Sequence, residues 1–182
     1  MLIQGNEVQS IASSSTDVCG IYLSSGYSNV AVTSNKIHTI TYSGASTFKA
    51  YGIYASSTFP LATNLACFNN MVYDINAPSA TNVSTAYNTA GIYLSSGKNN
   101  AVYFNSVYIS GDQGNGAGPS FAFFNGDTAF AVVDNIFANV SPNDTAKDYA
   151  IGLSTRGYSL STIQDYNLYY VSGTRGYIGQ FR

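Results

Sequence analysis

Apolar and polar residues alternate along short stretches of this chain, and the same stretches return at a regular interval. The heptapeptide GIYLSSG occupies residues 20–26 and again residues 91–97, and a related GIYASS lies between them at residues 52–57. Alternation with a period of two residues is typical of a β-strand with one buried face. Self-similarity at intervals of about 20–50 residues indicates a solenoid, a propeller or another repeat array.

An asparagine followed by an apolar strand marks each repeat. It recurs at intervals of 29, 35, 35, 30 and 32 residues, at Asn6, Asn35, Asn70, Asn105, Asn135 and Asn167. An asparagine side chain can hydrogen-bond backbone groups that a corner between strands leaves unpaired, and it tolerates the left-handed conformation of a tight bend. We therefore expect the last five of these side chains to form a hydrogen-bonded ladder along the repeat axis. The simpler alternative is that each is an isolated turn residue.

Each repeat predicts three short strands, two tight corners and one wide corner. In the first repeat the strands begin near Gly20, Asn29 and Asn35, and a looser run extends to Ala50. No repeat contains a 3.6-residue apolar period long enough for a helix, and β-branched and aromatic residues dominate the strands. WD and kelch signatures are missing, which argues against a propeller. The pattern predicts an all-β protein, a parallel β-helix of about five coils with three strands per coil.

The repeats predict one domain over residues 1–182 that begins within a coil. Alternation predicts the inward side chains, which are Val8, Ile21, Leu23, Val30, Val32, Ile37, Ile53, Ala55, Leu65, Cys67, Val72, Ile92, Leu94, Val107, Phe130, Val132, Phe137 and Tyr169. In the last repeat Thr162 and Gln164 stand where apolar residues are expected. We therefore expect either a register shift that turns Ile163 inward or a frayed coil.

The GIYLSSG strand, the asparagine at the second corner and the repeat of about 30 residues resemble the right-handed parallel β-helix, or pectin-lyase-like, superfamily. The likeness is greatest to repeat regions of bacterial cell-surface and secreted proteins, and it covers nearly the whole chain. It implies a right-handed coil, as does the crossover rule for parallel strands. It also implies polysaccharide lyases and glycoside hydrolases as the enzymatic alternative.

Composition narrows the classes of function. Only 9% of the residues are charged, against roughly 25% in average domains, so the surface is polar but uncharged, as suits an extracellular solenoid. The net charge of −2, with seven scattered Lys and Arg residues, argues against nucleic-acid binding. The sequence contains no run of about 18 apolar residues, so it predicts no membrane-spanning segment. Two cysteines, Cys19 and Cys67, are too few for a disulfide framework.

Glycoside hydrolysis needs two carboxyl groups across a groove. Asp134 and Asp165 come closest to such a pair, since they precede marker asparagines by one and two residues on neighbouring coils. The alternative is that both are polar turn residues. The motifs that the resemblance would require in a pectin hydrolase, Asn-Thr-Asp, Asp-Asp, Gly-His-Gly and Arg-Ile-Lys, are absent. This absence favours a protein that is not an enzyme.

A lyase would need a base and, usually, Ca²⁺ held by clustered carboxylates. The sequence offers only Asp144 and Asp148, which could hold such a cation weakly from a loop. No other cofactor or metal site is predicted.

The tyrosines are more informative than the acidic residues. Tyr22, Tyr54 and Tyr93 alternate outward, and Phe123 or Phe124 continues their row. A second row contains Tyr73, Tyr108 and Tyr170, and the lone His38 takes the same position in its own repeat. Coils about 4.8 Å apart would stack these rings. The rows either stack only on themselves or present an aromatic surface to sugar rings or a neighbouring chain; the candidate contact residues are Tyr22, Tyr54, Tyr93, Tyr73 and Tyr108.

At neither terminus does the sequence predict an amphipathic helix that would cover the end of a β-helix. We therefore expect a segment of a longer protein or a subunit that assembles end to end. The sequence favours a non-enzymatic extracellular β-helix (a stalk, adhesin or filament segment) whose partners are other copies of itself or flanking coils. The alternative is a carbohydrate-active β-helix, or its sugar-binding repeat region, with a polysaccharide as partner.

Overall fold

The computed structural model of the chain is a solenoid in which each coil contributes one strand to each of three parallel sheets. It describes residues 1–57, 63–82, 88–111, 113, 118–126, 130–142, 146–154 and 163–181. Only strands, turns and irregular segments occur in these ranges, and none of them forms a helix that is long and apolar enough to cross a membrane. The predicted fold class, about five coils with three strands per coil, is confirmed.

The three sheets each contain six strands. The first sheet is built from β1 (Leu2–Gln4), β4 (Ala31–Thr33), β7 (Ala66–Phe68), β10 (Asn100–Tyr103), β13 (Phe130–Val133) and β16 (Ile163–Asp165). The second is built from β2 (Glu7–Ser13), β5 (Lys36–Tyr42), β8 (Met71–Asn76), β11 (Ser106–Ile109), β14 (Ile136–Asn139) and β17 (Leu168–Val171). The third is built from β3 (Val18–Leu23), β6 (Ala50–Ala55), β9 (Thr89–Leu94), β12 (Ser120–Asn125), β15 (Asp148–Leu153) and β18 (Gly176–Phe181).

Equivalent residues of successive coils lie above one another in columns. Val32, for example, pairs with Ile3 on one side and Cys67 on the other. The inward residues predicted from the sequence are buried, except that Val8 and Tyr169 in the end coils are only partly buried. The side chain of Phe130 lies outside the described residues. Alternation therefore predicts the core because each strand turns one face to the interior.

The last coil keeps the register of the coil before it. Gln164 pairs with Val132 and Ile163 pairs with Ala131, so Gln164 takes the inward position. Ile163 remains outside, with 59% of its surface exposed. The predicted shift that would turn Ile163 inward is wrong, because the backbone ladder with β13 and the neighbouring Asn135–Asn167 pair hold the strand in place. Thr162 lies outside the described residues.

The glycine that opens the repeated heptapeptide is required by packing between the third and second sheets. A Cβ atom on Gly52 would lie 2.3 Å from Cγ1 of Val72 and 2.5 Å from the carbonyl oxygen of Gly91. A Cβ on Gly91 would meet Cγ1 of Val107 at 2.2 Å. These separations are shorter than any real contact, so a glycine lets the valine methyl group approach the backbone.

A left-handed residue forms the corner before each marker asparagine. The φ angles are 68° at Gly5, 55° at Ser34, 56° at Asn69, 56° at Phe104, 56° at Asp134 and 52° at Tyr166. The expectation that the asparagine itself takes this conformation is wrong by one residue. The bend occurs one position earlier because the asparagine must direct both its N–H group and its side chain along the solenoid axis.

Candidate functional site

The marker asparagines form a continuous column of hydrogen bonds. In each step the backbone N–H and the Nδ2 group of one asparagine both donate to Oδ1 of the asparagine in the next coil. The backbone nitrogen and Nδ2 of Asn35 both lie 3.0 Å from Oδ1 of Asn70. The backbone nitrogen and Nδ2 of Asn70 lie 3.0 and 2.9 Å from Oδ1 of Asn105. The same pair of bonds joins Asn6 to Asn35, Asn105 to Asn135, and Asn135 to Asn167.

From Asn35 onward, each Nδ2 group also donates backwards, to a carbonyl oxygen of the preceding coil, whereas Nδ2 of Asn6 donates to the carbonyl oxygen of Gln4 in its own coil. Asn70 bonds the oxygen of Val32 at 2.9 Å, and Asn105 bonds the oxygen of Cys67 at 2.9 Å. One side chain thus connects three coils at a buried corner where water cannot replace a lost partner. Satisfaction of these groups stabilises the stack, since an unpaired buried polar group costs about 1–3 kcal/mol.

A second asparagine column, which was not predicted from the sequence, lies at the exposed corner between the third and first sheets. Nδ2 of Asn64 donates to Oδ1 of Asn29 at 3.0 Å, and Nδ2 of Asn99 donates to Oδ1 of Asn64 at 3.4 Å. All three residues have positive φ. These three asparagines are equally spaced in the sequence, with the same spacing as the marker asparagines of the same repeats, and this regularity could have predicted the second column.

The first aromatic row lies on the outer surface of the third sheet. Tyr22 stacks on Tyr54 with ring centroids 5.0 Å apart, and Tyr54 stacks on Tyr93 at 5.2 Å. Phe124 continues the row, 5.1 Å from Tyr93, whereas Phe123 points into the core. Of the three tyrosines only Tyr22 is largely exposed, because Tyr54 and Tyr93 pack against an outer apolar cluster that contains Tyr51, Ala90, Phe121, Phe124 and Tyr149.

The second aromatic row is more accessible, and it lies on the outer surface of the second sheet. His38 stacks on Tyr73 with centroids 4.7 Å apart and planes 4° apart, and Tyr73 pairs in register with Tyr108. Ala138 follows Tyr108 in the column and separates it from Tyr170. Beside this row the small Ser106 side chain interrupts a column of larger residues. The result is a depression of about 320 Å³ lined mainly by Met71, Tyr73, Ser106, Tyr108, Ile136 and Ala138.

A charged group borders the same surface near the first coil. Nζ of Lys36 donates to Oε1 of Glu7 at 2.7 Å, and Nε2 of His38 lies 3.2 Å from the same oxygen. The hydrogen bond from Lys36, together with that from His38, lowers the pKa of the Glu7 carboxyl group. We call the exposed faces of Glu7, Lys36, His38, Tyr73 and Tyr108, with the depression beside them, the second-sheet surface.

The two candidate catalytic carboxylates are exposed corner residues. The backbone N–H of Asp134 donates to the carbonyl oxygen of Asp165 at 3.2 Å, so the residues lie on adjacent coils. Asp165 is in register with Val133, which places the two aspartates one position apart along the strand direction. Oδ1 of Asp165 accepts a hydrogen bond from the backbone of Tyr166, and Asp134 occupies the left-handed corner position. Both aspartates therefore have a structural role in the corner, which is the alternative to the proposed catalytic role.

Asp148, half of the predicted weak cation site, lies in β15 with its side chain buried in the interior. Its Oδ1 accepts a hydrogen bond from Oγ of Ser120, and that Oγ accepts one from Nδ2 of Asn139 at 2.8 Å. Burial raises the pKa of the Asp148 carboxyl group to about 6, and the Ser120 hydrogen bond offsets part of this effect. Asp144 lies outside the described residues, among which no three His, Cys, Asp or Glu side chains cluster as metal ligands.

Comparisons of the chain with protein-family models, with curated proteins and with solved structures find no match. The fold is therefore shown by the parallel sheets themselves.

Proposed function

We propose that the chain is a structural segment of a non-enzymatic extracellular β-helix, a stalk, adhesin or filament element of the right-handed, pectin-lyase-like type found in bacterial surface proteins. The observation that carries the proposal is the unbroken column of asparagine pairs from Asn6 to Asn167. Such a column stabilises a long stack of coils along one axis, because every added coil repeats the same backbone and side-chain hydrogen bonds.

The chemistry of the surface supports the same proposal. Charged residues are scarce, and few of the exposed groups are acids or bases that could perform acid–base catalysis. A polar, uncharged surface suits a fibre exposed to varying pH and salt, because its solvation does not depend on ionisation.

The end coils support assembly along the axis. Ile3, Val8 and Ile11 belong to inward columns, yet they are only partly buried because none of the described residues forms a coil over them. Either flanking coils of a longer chain or further copies of this chain would bury them, which apolar surface favours by about 25 cal/mol per Å².

Two measurements test the proposal. Negative-stain microscopy and sedimentation of the purified chain should show rods longer than a single solenoid as concentration rises. A panel of anionic polysaccharides should give neither reducing ends nor unsaturated products. Particles that stay monomeric at millimolar concentration contradict end-to-end assembly, and turnover of any polysaccharide contradicts a non-enzymatic role.

The second candidate is sugar binding at the second-sheet surface, favoured by one specific observation. Tyr108 is about half exposed and borders the depression, and the Glu7–Lys36–His38 group lies on the same sheet face. A sugar ring offers C–H groups that pack on tyrosine and hydroxyl groups that bond to charged side chains.

Calorimetric titration with polysaccharides tests this candidate. Tyr108→Ala should weaken any binding at least tenfold, whereas Tyr22→Ala, which removes a similarly exposed ring from the third sheet, should not. Equal losses from both variants, or no binding at all, would reject the second-sheet surface as a sugar site.

A further inference from the structure

The asparagine column has a direction. In every step the donors belong to the coil nearer the N terminus and the accepting Oδ1 belongs to the coil nearer the C terminus. The two ends of the column are therefore different. Oδ1 of Asn6 accepts no hydrogen bond from the described residues, and the backbone N–H of Asn167 finds no acceptor among them.

We propose that the C-terminal coil of one copy binds the N-terminal coil of a second copy, head to tail, with the asparagine column continuing across the junction. Asn167 donates from its N–H and Nδ2 groups to Oδ1 of Asn6 in the second copy, as Asn135 does to Asn167. Nδ2 of Asn6 in turn donates to the carbonyl oxygen of Gln164, as Asn167 does to that of Val132. This inference rests on the proposed end-to-end assembly and adds its polarity and its contacts.

The strand edges have the same polarity as the column. Within the described part of the chain, β1, β2 and β3 each leave one edge unpaired at the N-terminal end, and β16, β17 and β18 leave the opposite edge unpaired at the C-terminal end. All neighbouring strands in the solenoid are parallel, so a head-to-tail junction repeats the pairing found between coils. A head-to-head junction would instead oppose one Asn6 Oδ1 acceptor to another. Repetition of a heterologous contact that does not close gives an open filament.

Several side-chain columns of the first and second sheets also match across such a junction. Ile163 would lie on Leu2, Tyr169 on Val8, and Asp165 on Gln4, whose amide group can donate to the carboxylate. Gln164 does not match, because it would bring an amide into the apolar column that Ile3 begins. Burial of an amide without a partner opposes association, so Gln164 limits the strength of the junction.

Disulfide trapping tests the polarity. Leu2 and Ile163 are exposed and belong to one outward column of the first sheet. In a head-to-tail junction their Cα atoms would lie about 4.8 Å apart, within the range of about 4.4–6.8 Å that a disulfide spans. With Cys19 replaced by Ser, the double variant Leu2→Cys/Ile163→Cys should give a ladder of covalent oligomers under mild oxidation.

The single variants serve as matched controls. Leu2→Cys alone and Ile163→Cys alone should remain monomeric on non-reducing gels, and an equal mixture of the two should stop at dimers. Dimers from either single variant would show a head-to-head or tail-to-tail junction and would overturn the inference. Rods without any of these crosslinks would also overturn it while leaving end-to-end assembly intact, whereas the absence of rods would reject both.

Two substitutions test the contacts themselves. Asn6→Ala removes the acceptor at the junction and should raise the concentration of half-maximal assembly roughly tenfold. Asn64→Gly, which changes an exposed asparagine in a middle coil away from both ends, should leave this concentration unchanged. Gln164→Val should lower it, because the inward column then continues without an amide. An unchanged assembly concentration in both Asn6→Ala and Gln164→Val would exclude this interface.

Discussion

Ser120 and Asp148 share a hydrogen bond of 2.5 Å between Oγ and Oδ1 inside the solenoid, where both side chains are buried. The two residues occupy the same column of the third sheet in successive coils. Asn139 completes the group by donating to the serine oxygen. The interior of the solenoid therefore contains a carboxyl group, and burial favours its protonated form over its charged form.

Stability should depend on the pH through Asp148. Its pKa is raised by burial from 3.8 to about 6 in the folded chain, so folding favours the protonated form. This contribution is fully present below about pH 4 and is lost as the pH rises through 6, at a cost of at most about 3 kcal/mol. Urea unfolding of the wild type between pH 4 and 7 should show this loss.

Asp148→Asn should remove that dependence and stabilise the chain at pH 7, because an amide oxygen still accepts from Ser120 without a charge. Asp165→Asn, which changes an exposed corner residue, is the control and should give no comparable gain in stability at pH 7. A wild-type slope retained in Asp148→Asn would contradict the assignment.

Asn70→Ala should destabilise the chain by about 2–4 kcal/mol, measured by urea unfolding. The change removes the acceptor of two bonds from Asn35 and the donors to Val32 and Asn105, and it leaves buried groups unpaired. Asn64→Gly breaks the exposed second column while it keeps the positive φ, so it should cost less than about 1 kcal/mol. Equal losses would mean that burial does not distinguish the two columns.

Gly52→Ala should cost about 2–3 kcal/mol or more, because the added Cβ meets Val72 and the backbone of Gly91. Gly5→Ala is the comparison. Its φ of 68° is unfavourable for alanine but nothing lies within 4 Å of the new Cβ, so only about 1 kcal/mol should be lost. Thermal unfolding followed by circular dichroism separates the two cases, and a tolerated Gly52→Ala would refute the packing argument.

Tyr166→Gly should stabilise the last corner by about 1 kcal/mol, because a residue with φ of 52° and 78% exposure gains little from its ring and is strained in its backbone. Tyr166→Ala removes the same ring without relieving the strain. It should show no gain in the free energy of unfolding, and a gain equal to that of the glycine variant would trace the effect to the ring.

The sequence was most informative where the fold repeats itself. The spacing of the GIYLSSG copies and of the marker asparagines predicted the coils, and alternation predicted core residues such as Ile53 and Val107. In a solenoid, equivalent positions of successive repeats become vertical neighbours. Residues one repeat apart in the sequence are therefore in contact between neighbouring coils.

Features that depend on the shape of a single coil were not predictable. The sequence assigned the left-handed bend to the asparagine, left open whether Ile163 turns inward or the last coil frays, and placed Asp148 in a loop. The structure bends one residue earlier, keeps the register with Ile163 outside and buries Asp148. The Glu7–Lys36–His38 group also joins residues that no single repeat contains.

By itself, the sequence determined the number of coils, the three strands in each and the columns that fill the core, because a strict period leaves few other ways to bury those apolar residues. Only the tertiary structure decided which corner residue takes positive φ, why Gly52 must lack a side chain, and which direction the asparagine column runs. Those outcomes depend on separations of a few ångströms between neighbouring coils, which spacing along the chain does not specify.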